Sequence, residues 1–287
     1  MVILKGAEVS AKIKEEVQGL LGRLNGQIPR LAIVRVGEKP DDLSYERGAM
    51  KKLASFGLEA QSYAFPEDIS NEQFQEEFKK INENPDVTGI LLLRPLPKQI
   101  CQADIENMMD PKKDLDGISP INIAKIFAGD ASGFAPCTAE AVVEMLKANH
   151  IEIAGKRAVI VGRSMVVGKP LAMLLMKENA TVTVCHTRTI DLPGTCQSGE
   201  ILIAAAGKAK MINGDYVRQE AVVIDVGINV DEDGKLCGDV DFQSIQEKAS
   251  MTTPVPGGVG TVTTAVLARH LVLAAYLKKV TKKYKIS

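Results

Sequence analysis

The sequence has no tryptophan, few aromatic residues (4%) and only three histidines among its 287 residues. It also lacks an excess of either charge, since 35 basic and 36 acidic residues give a formal net charge of −1. A chain without such an excess has no long-range field to gather a polyanion or an anionic bilayer. We therefore expect no nucleic-acid partner and no membrane partner.

Cysteine pairs, targeting segments and long apolar runs are missing as well. The five cysteines form no Cys-x-x-Cys unit and no Cys/His spacing typical of a metal site. The first ten residues carry charge too early for a signal peptide. No apolar run approaches the ~18–20 residues of a membrane span. These features predict a metal-free protein of the reducing cytoplasm.

The first half of the chain alternates between helical and strand-like patterns. We expect helices over residues 6–24, 44–56 and 71–82, and strands over residues 29–37 and 87–93. Gly57 is placed to end the second of these helices. Alternation of this kind predicts a parallel sheet.

The second half follows a loop-rich stretch, residues 111–136, and has the pattern of a doubly wound sheet. We expect helices over 139–149 and 263–279, and strands over 156–162, 181–185, 201–205 and 222–226. Since 287 residues exceed a typical domain of ~100–200, the prediction is an α/β protein of two lobes. Residues 1–140 with 268–287 form an N-terminal lobe, on which the C-terminal helix packs back. Residues 141–267 form a Rossmann-type lobe with a parallel sheet.

The segment from Val161 to Pro170 places Gly162 and Gly168 between a strand and the start of a helix. Such a turn lets backbone N–H groups approach a phosphate, and the helix N-terminus contributes about half a positive charge. The pattern is not the usual Gly-x-Gly-x-x-Gly. An ordinary strand-to-helix turn is therefore the alternative.

The residues after the next strand bear on the choice of nicotinamide cofactor. NAD enzymes of this architecture carry an acidic residue there, ~20 residues beyond the glycines. This chain has Cys185-His-Thr-Arg-Thr189 instead. Arg163, Thr187 and Arg188 could bind a 2′-phosphate through charge-assisted hydrogen bonds. These residues favour NADP, and NAD is the alternative cofactor. In the alternative interpretation of Arg188, its side chain is simply a solvent-exposed part of the loop.

A second glycine cluster is Pro254-Val-Pro-Gly-Gly-Val-Gly260. Three glycines within four residues predict backbone lying close to a flat ligand, or a purely structural turn. Asp225-Val-Gly-Ile-Asn229 ends a predicted strand, at the carboxyl edge where open α/β sheets bind ligands. Both segments could converge on the nicotinamide end of a cofactor.

Together with Lys113-Asp-Leu-Asp-Gly117 and Pro136-Cys-Thr138, these segments resemble the methylenetetrahydrofolate dehydrogenase/cyclohydrolase family in order and spacing, over nearly the whole chain. The resemblance implies two α/β lobes flanking a cleft, a homodimer built largely through the cofactor lobe, and a role in one-carbon metabolism and purine biosynthesis. It implies a cofactor site of Gly162, Arg163, Ser164, Gly168, Thr187, Arg188, Ile228 and Thr138. It implies a folate site of Tyr45, Asp116, Pro256, Gly257 and Gly258.

The family's folate site uses a Tyr-x-x-x-Lys motif, a Val-Gln-Leu-Pro-Leu-Pro segment and the second aspartate of Lys-Asp-x-Asp-Gly. The resemblance implies that Tyr45 stacks on the folate and that Asp116 accepts paired hydrogen bonds from the amidine-like edge of the pterin. Ala49 stands where the family has its lysine, and Leu93 where it has its glutamine. Arg94 stands where leucine is usual.

These replacements bear differently on the two reactions of the family. Hydride transfer needs alignment of the methylene carbon and the nicotinamide at ~3–3.5 Å, but no protein proton donor. Hydrolysis of the methenyl product needs a general base or proton relay, typically worth 10²–10⁴-fold. Ala49 and Leu93 can supply neither, so we expect oxidation of 5,10-methylenetetrahydrofolate with NADP and loss of hydrolysis.

Three alternatives stay open. In a bifunctional enzyme, Lys52 or Arg94 would act as a displaced base. A folate-binding paralogue without catalysis would bind ligands but reduce neither NAD nor NADP. An unrelated two-lobed dehydrogenase acting on a hydroxy acid would need a base near the nicotinamide, for which His150, His186 and His270 offer little support.

Overall fold

Parallel sheets organise both halves of the chain in the computed structural model, which describes residues 1–284 and the side chains of residues 1–280. The chain divides into two units. The three-stranded unit comprises residues 12–125, 130–135 and those from 264 on. The six-stranded unit comprises residues 1–11, 126–129 and 136–263. The predicted lobe boundaries stay a prediction, and residues 285–287 of the first predicted lobe lie outside the described residues.

The strands, in chain order, are β1 (Val2–Ile3), β2 (Arg30–Val36), β3 (Glu59–Phe65), β4 (Gly89–Leu92), β5 (Arg157–Val161), β6 (Thr181–Cys185), β7 (Ile201–Ala204), β8 (Ala221–Asp225), β9 (Asn229–Val230), β10 (Leu236–Cys237) and β11 (Ala249–Thr252). The helices are α1 (Gly6–Leu21), α2 (Pro40–Ser55), α3 (Asn71–Glu83), α4 (Gln102–Met108), α5 (Pro120–Phe127), α6 (Cys137–Ala148), α7 (Gly168–Lys177), α8 (Leu192–Gln197) and α9 (Val259–Tyr284).

The three-stranded unit is built on the parallel order β3-β2-β4. The central strand β2 is buried on both faces, as expected for a strand covered by helices on each side. Alternate residues Ala32, Val34 and Val36 pack in one core with Phe74 and Phe78 of α3. Helix α3 starts with a capping box between Ser70 and Gln73, which explains its sharp beginning.

The six-stranded unit has the strand order β1-β11-β8-β7-β5-β6, and each neighbouring pair is parallel. Strands β5 and β7 are almost wholly apolar and buried, typical of central strands of a parallel sheet. Two-stranded β9-β10 forms a separate antiparallel ribbon. The expected doubly wound α/β fold is therefore confirmed.

Helix α9 passes at Thr264 from the six-stranded unit to the three-stranded unit. In the latter, Lys278 donates to Pro85 O at 2.8 Å, and His270 Nδ1 lies 2.8 Å from Leu115 O. The helix thus packs on the first lobe, as predicted. By length and composition alone, its segment Val259–Val280 is apolar enough to cross a membrane, contrary to the expectation that no apolar run reaches such a length. Since the most apolar part of this segment is 61% buried inside the protein, the segment resembles the core helix of a folded domain.

Several elements differ from the sequence prediction. Helix α2 begins at Pro40 rather than after the polar loop, because proline is favoured in the first turn of a helix. Strand β3 was not expected, since its polar alternation at a sheet edge lacks an apolar run. Helix α5 lies inside the stretch predicted as loop. The other predicted helices and strands are present within a few residues of their expected bounds, and Gly57, with φ 76°, ends α2.

Candidate active site

Tyr45 and Asp116 both lie near the carboxyl edge of the three-stranded sheet. Tyr45 is in the second turn of α2, which follows β2, and is 37% exposed, so its ring is accessible to a ligand. Asp116 follows a short segment that continues the sheet beside β4, through a parallel bridge between Ile90 and Asp114. The carboxyl edge of parallel strands is where α/β folds bind ligands.

The first aspartate and the lysine of the Lys-Asp-Leu-Asp-Gly motif have structural roles. Asp114 is buried and accepts hydrogen bonds from Ile118 N, Ser119 N and Asn122 Nδ2 at 3.0, 2.8 and 2.9 Å. Lys113 Nζ donates to two backbone carbonyls, at 2.7 and 2.6 Å. Burial, and then the nearby Lys278, lowers the pKa of Lys113. These contacts fix the loop from which Asp116 projects.

Ala49 and Leu93 are apolar core residues, with 1% and 8% exposure. Leu93 N donates to Val34 O at 2.9 Å, which extends the pairing of β4 with β2 by one residue. Neither side chain has a group that can accept or donate a proton. The structure therefore offers no proton-handling side chain at these two positions.

A buried ion pair lies next to both positions and was not foreseen from the sequence. Arg35 Nε donates to Glu46 Oε2 at 2.7 Å, and the two side chains are 13% and 9% exposed. Glu46 precedes Ala49 by three residues on α2, so the two share a helix face. The register pairs Val34 with Leu92, so Arg35 and Leu93 are the next residues along neighbouring strands. An arginine interrupting an apolar strand was the available sequence signal.

The two residues considered as displaced bases are in different surroundings. Arg94 Nη1 donates to Glu106 Oε1 at 3.2 Å, and Arg94 Nη2 lies 3.9 Å from Asp116 Oδ2. Lys52 Nζ lies 5.5 Å from the centroid of the Phe56 ring. Burial lowers the pKa of Lys52, and the charge of Lys14 lowers it further. A lowered pKa is what a lysine needs to act as a base, whereas Arg94 is engaged with two carboxylates.

The glycine turn between β5 and α7 is tightly packed. A Cβ at Gly162, where φ is 136°, would overlap Ala205 O, and a Cβ at Gly168 would overlap Gly162 O. Gly162 N donates to Cys185 O at 3.0 Å, which brings this turn beside the end of β6. Ser164 Oγ accepts from Val167 N at 3.1 Å. Local packing therefore requires both glycines. The ten-residue helix α7 begins without a side-chain hydrogen bond from its N-cap residue, Val167.

The loop after β6 is organised by its own side chains. His186 N donates to Thr189 Oγ1 at 2.9 Å, and Arg188 N donates to His186 Nδ1 at 3.1 Å. Thr187 and Arg188 are exposed, as are Arg163 and Ser164 of the neighbouring turn. The first carboxylate beyond them, Asp191, accepts from Gly194 N at 3.1 Å and caps α8. The glycine turn has no room for side chains, so its backbone can approach a phosphate. The exposed cationic groups beside it suit a further phosphate. Together the two loops fit a phosphorylated dinucleotide.

Two buried aspartates fix the loops at the carboxyl ends of β7 and β8. Asp239 accepts from Ala206 N, Gly207 N and Lys208 N at 2.6, 2.9 and 2.8 Å, and from Asn229 Nδ2 at 2.9 Å. Asp225 accepts from Gly227 N, Asp239 N and Val240 N at 2.9, 3.0 and 3.0 Å. Burial raises the pKa of Asp225 to about 6, against the opposing effect of these three N–H groups. The role of Asp239 was not predicted from the sequence.

The remaining predicted site residues also lie in the six-stranded unit. Ile228 is exposed in the loop that follows β8. A Cβ added at Gly260 would lie 3.6 Å from Ile228 Cδ1, so the two residues are neighbours. Gly6 N donates to Gly257 O at 2.9 Å, which ties the turn of Pro256, Gly257 and Gly258 to the start of α1. Thr138 is half-buried in the first turn of α6. The structure thus brings the glycine turn and the β6 loop together, and Ile228 beside the second glycine cluster.

Comparisons with known proteins match both halves of the chain. The sequence-family model of the tetrahydrofolate dehydrogenase/cyclohydrolase catalytic domain matches residues 4–116. The family model of the NAD(P)-binding domain of the same proteins matches residues 136–279. The bifunctional protein FolD of Clostridium kluyveri is 50% identical over 277 residues, covering 95% of this chain and 97% of the relative.

Solved structures agree with this similarity. The bifunctional enzyme FolD, methylenetetrahydrofolate dehydrogenase/cyclohydrolase, of Campylobacter jejuni is 39% identical with a TM-score of 0.93, over 97% of this chain and 99% of the other. The Trypanosoma brucei methylenetetrahydrofolate dehydrogenase-cyclohydrolase, complexed with NADP and an inhibitor, is 32% identical with a TM-score of 0.89, over 98% of each chain.

Proposed function

Because the chain belongs to the tetrahydrofolate dehydrogenase/cyclohydrolase family, we propose that it oxidises 5,10-methylenetetrahydrofolate to 5,10-methenyltetrahydrofolate and uses NADP as the hydride acceptor. The chain is an NAD(P)-dependent oxidoreductase of this family. The observation that carries the proposal is the match of both the catalytic and the NAD(P)-binding model to one chain, at residues 4–116 and 136–279.

We assign binding and orientation, rather than proton transfer, to the chain's own residues. The nicotinamide, when bound, supplies the acceptor for the hydride. Tyr45 offers an exposed ring for stacking on the folate, and Asp116 offers a carboxylate for the pterin edge. Pro256, Gly257 and Gly258 complete the proposed folate contacts. The folate nitrogen lone pair stabilises the methenyl cation, so no protein acid is required.

NADP is proposed over NAD because of the groups at the end of β6. Arg163, Thr187 and Arg188 are exposed there, and Asp191 is occupied as a helix cap. The NADP complex of the T. brucei protein is in keeping with this choice. Gly162, Ser164, Gly168, Thr138 and Ile228 complete the proposed cofactor contacts.

The test is a steady-state assay that is stopped with acid, which preserves the methenyl product for absorbance measurement. Purified protein receives methylenetetrahydrofolate with NADP or with NAD. We expect product formation, with kcat/KM about tenfold or more higher for NADP, since one charge-assisted contact is worth that factor. No product with either cofactor, despite folate binding, would favour a non-catalytic paralogue.

Hydrolysis of the methenyl product is a second candidate function. The relatives from C. kluyveri and C. jejuni are named bifunctional, which favours the alternative of a displaced base over loss of hydrolysis. Ala49 and Leu93 argue for the loss. Of the two displaced bases considered, Lys52 is the better candidate, because burial lowers its pKa.

Clearance of added methenyltetrahydrofolate separates these outcomes. If the protein accelerates clearance above the buffer rate, and if Lys52→Met abolishes the acceleration without changing oxidation, Lys52 is the base. Clearance at the buffer rate would establish a monofunctional dehydrogenase. Acceleration that survives Lys52→Met would exclude Lys52.

We also propose that the chain works as a homodimer in the cytoplasm. All five cysteines are free thiols, in keeping with a reducing compartment. Light scattering on the purified protein should give about twice the 30.9 kDa mass of one chain. A value equal to one chain mass would refute the dimer.

A further inference from the structure

We infer that Arg94 is a positioning residue that holds the Asp116 carboxylate in the orientation needed for folate. The inference rests on the proposed function, because Asp116 is assigned to the folate there. It concerns a position at which this chain departs from the family motif, since the resemblance places leucine at position 94. A leucine cannot attract a carboxylate.

The two terminal nitrogens of the Arg94 guanidinium face two different carboxylates. Arg94 follows β4 at the carboxyl edge of the sheet, and its side chain is 16% exposed. Nη1 donates to Glu106 Oε1 at 3.2 Å, while Nη2 lies 3.9 Å from Asp116 Oδ2. The Asp116 contact is longer than a hydrogen bond. Arg94 therefore acts on Asp116 at this distance by charge.

Glu106 is held firmly enough to serve as the tether of Arg94. It lies on α4, where Gln102 Nε2 also donates to Glu106 Oε1, at 2.8 Å. The end of α4 is joined to α3, because Asn82 Nδ2 donates to Met108 O at 2.9 Å. Because the guanidinium is planar and rigid, the hydrogen bond from Nη1 to Glu106 also fixes the position of Nη2, which faces Asp116.

The backbone on each side of the Arg94–Asp116 contact is also fixed. Leu93 N is bonded to Val34 O, and Asp114 is locked by three hydrogen bonds two residues before Asp116. Within this fixed backbone, the charge of Arg94 favours side-chain orientations that keep the Asp116 carboxylate near the guanidinium. A carboxylate oriented before the substrate arrives loses less entropy on binding.

The charge of this cluster suits the reaction. One guanidinium and two carboxylates, Glu106 and Asp116, give a formal charge of −1. The cluster therefore keeps a net negative formal charge, which favours a cationic methenyl product in the proposed folate site. Arg94 can orient Asp116 without cancelling the negative charge of the cluster.

The test compares Arg94→Leu, Arg94→Lys, Asp116→Asn and the double variant Arg94→Leu/Asp116→Asn. In Arg94→Leu we expect the KM for methylenetetrahydrofolate to rise about tenfold, with kcat and the KM for NADP changed less than twofold, as for loss of a ground-state contact. Arg94→Lys should give an intermediate KM. The double variant should be no worse than Asp116→Asn alone, because Arg94 acts through Asp116.

Arg30→Leu is the matched control, because Arg30 pairs with Glu59 on the exposed surface at the opposite end of β2. It should leave both KM values unchanged. If Arg94→Leu does not fold by circular dichroism, Glu106→Gln takes its place, since it keeps the guanidinium but weakens the tether. We expect it to raise the folate KM severalfold.

An unchanged folate KM in Arg94→Leu, an equal rise in the NADP KM, or additive effects in the double variant would overturn the inference. Calorimetric titration of the same variants with tetrahydrofolate gives a second readout, in which Kd should follow the same order. If the wild type binds tetrahydrofolate but is inactive, the proposed function fails while this titration still decides the role of Arg94.

Discussion

Asp225 is the residue whose environment departs most clearly from that of an ordinary surface carboxylate. Its side chain accepts three backbone hydrogen bonds, yet burial still raises its pKa from the ordinary 3.8 to about 6. A raised carboxyl pKa means that the folded state binds the proton more tightly than the unfolded state. The associated stability is present below pH ~4 and is lost as pH rises through about 6.

The corresponding prediction concerns urea denaturation at pH 5 and pH 7.5. Asp225 should contribute a fall of about 1 kcal/mol in the unfolding free energy between these two values. Asp225→Asn should show a pH dependence smaller by that amount, because the variant cannot titrate there. Identical pH dependence in the two proteins would show that Asp225 is ionised at pH 5.

At this scale short motifs of fixed spacing predict Gly162, Arg188, Tyr45 and Asp116 as site residues. Such motifs do not predict the residues that support the loops of the site. Asp239 supports the loop after β7 from 31 to 33 residues away, and only the fold brings it there.

The pairing of β2 with α2 shows what the neighbouring elements contribute. Arg35 on the strand and Glu46 on the helix form an ion pair that is nearly buried on both sides. In a buried pair, removing one partner leaves the other charged and desolvated, whereas replacing both can be nearly neutral. The pair therefore locks the helix that carries Tyr45 to the sheet.

We predict that Glu46→Ala lowers the unfolding free energy by about 3 kcal/mol, and that Arg35→Leu/Glu46→Leu recovers most of this loss. Urea denaturation monitored by circular dichroism measures both. Glu59→Ala, which breaks the exposed pair with Arg30, should cost less than about 1 kcal/mol. Equal costs for the two single changes would mean that the Arg35–Glu46 pair is solvated.

The turn between β5 and α7 gives a second prediction for an element. Gly168→Ala places a methyl group against Gly162 O, so the turn must open. The KM for NADP should rise at least about tenfold, with a smaller change in the folate KM, since a displacement of ~1 Å can cost 10²-fold. Gly19→Ala is the control, because the added Cβ in α1 would meet no atom within 4 Å other than the neighbouring backbone of its own helix. A Gly168→Ala variant with unchanged NADP kinetics would separate this turn from the cofactor.

Elements with strong apolar periodicity, such as α3 and β5, are predictable from the sequence. Strands β1 and β11 are not, because they contain two and four residues and pair across about 250 positions of the chain. Strand β3 escapes for another reason. It is an edge strand whose polar and apolar residues are mixed, so its local sequence is a weak signal. Pairing with β2, rather than the local sequence, stabilises its extended backbone.

At the scale of the whole molecule, the two-lobed α/β class follows from the order of helices, strands and motifs. The division of the chain between the units is less accessible. Helix α9 changes unit at Thr264, within a continuous helical pattern that has no internal break. The lobe boundary is therefore a matter of tertiary contacts, which composition and periodicity do not report.

The most direct measurement of the central claim is transfer of deuterium from 5,10-methylenetetrahydrofolate carrying two deuterium atoms on its methylene carbon. Mass spectrometry of the reduced cofactor after incubation with NADP should find one deuterium per NADPH, and the methenyl product should keep the other. Oxidation by hydride transfer requires this partition. Deuterium in the solvent, or unlabelled NADPH, would contradict the assignment of this chain as a methylenetetrahydrofolate dehydrogenase.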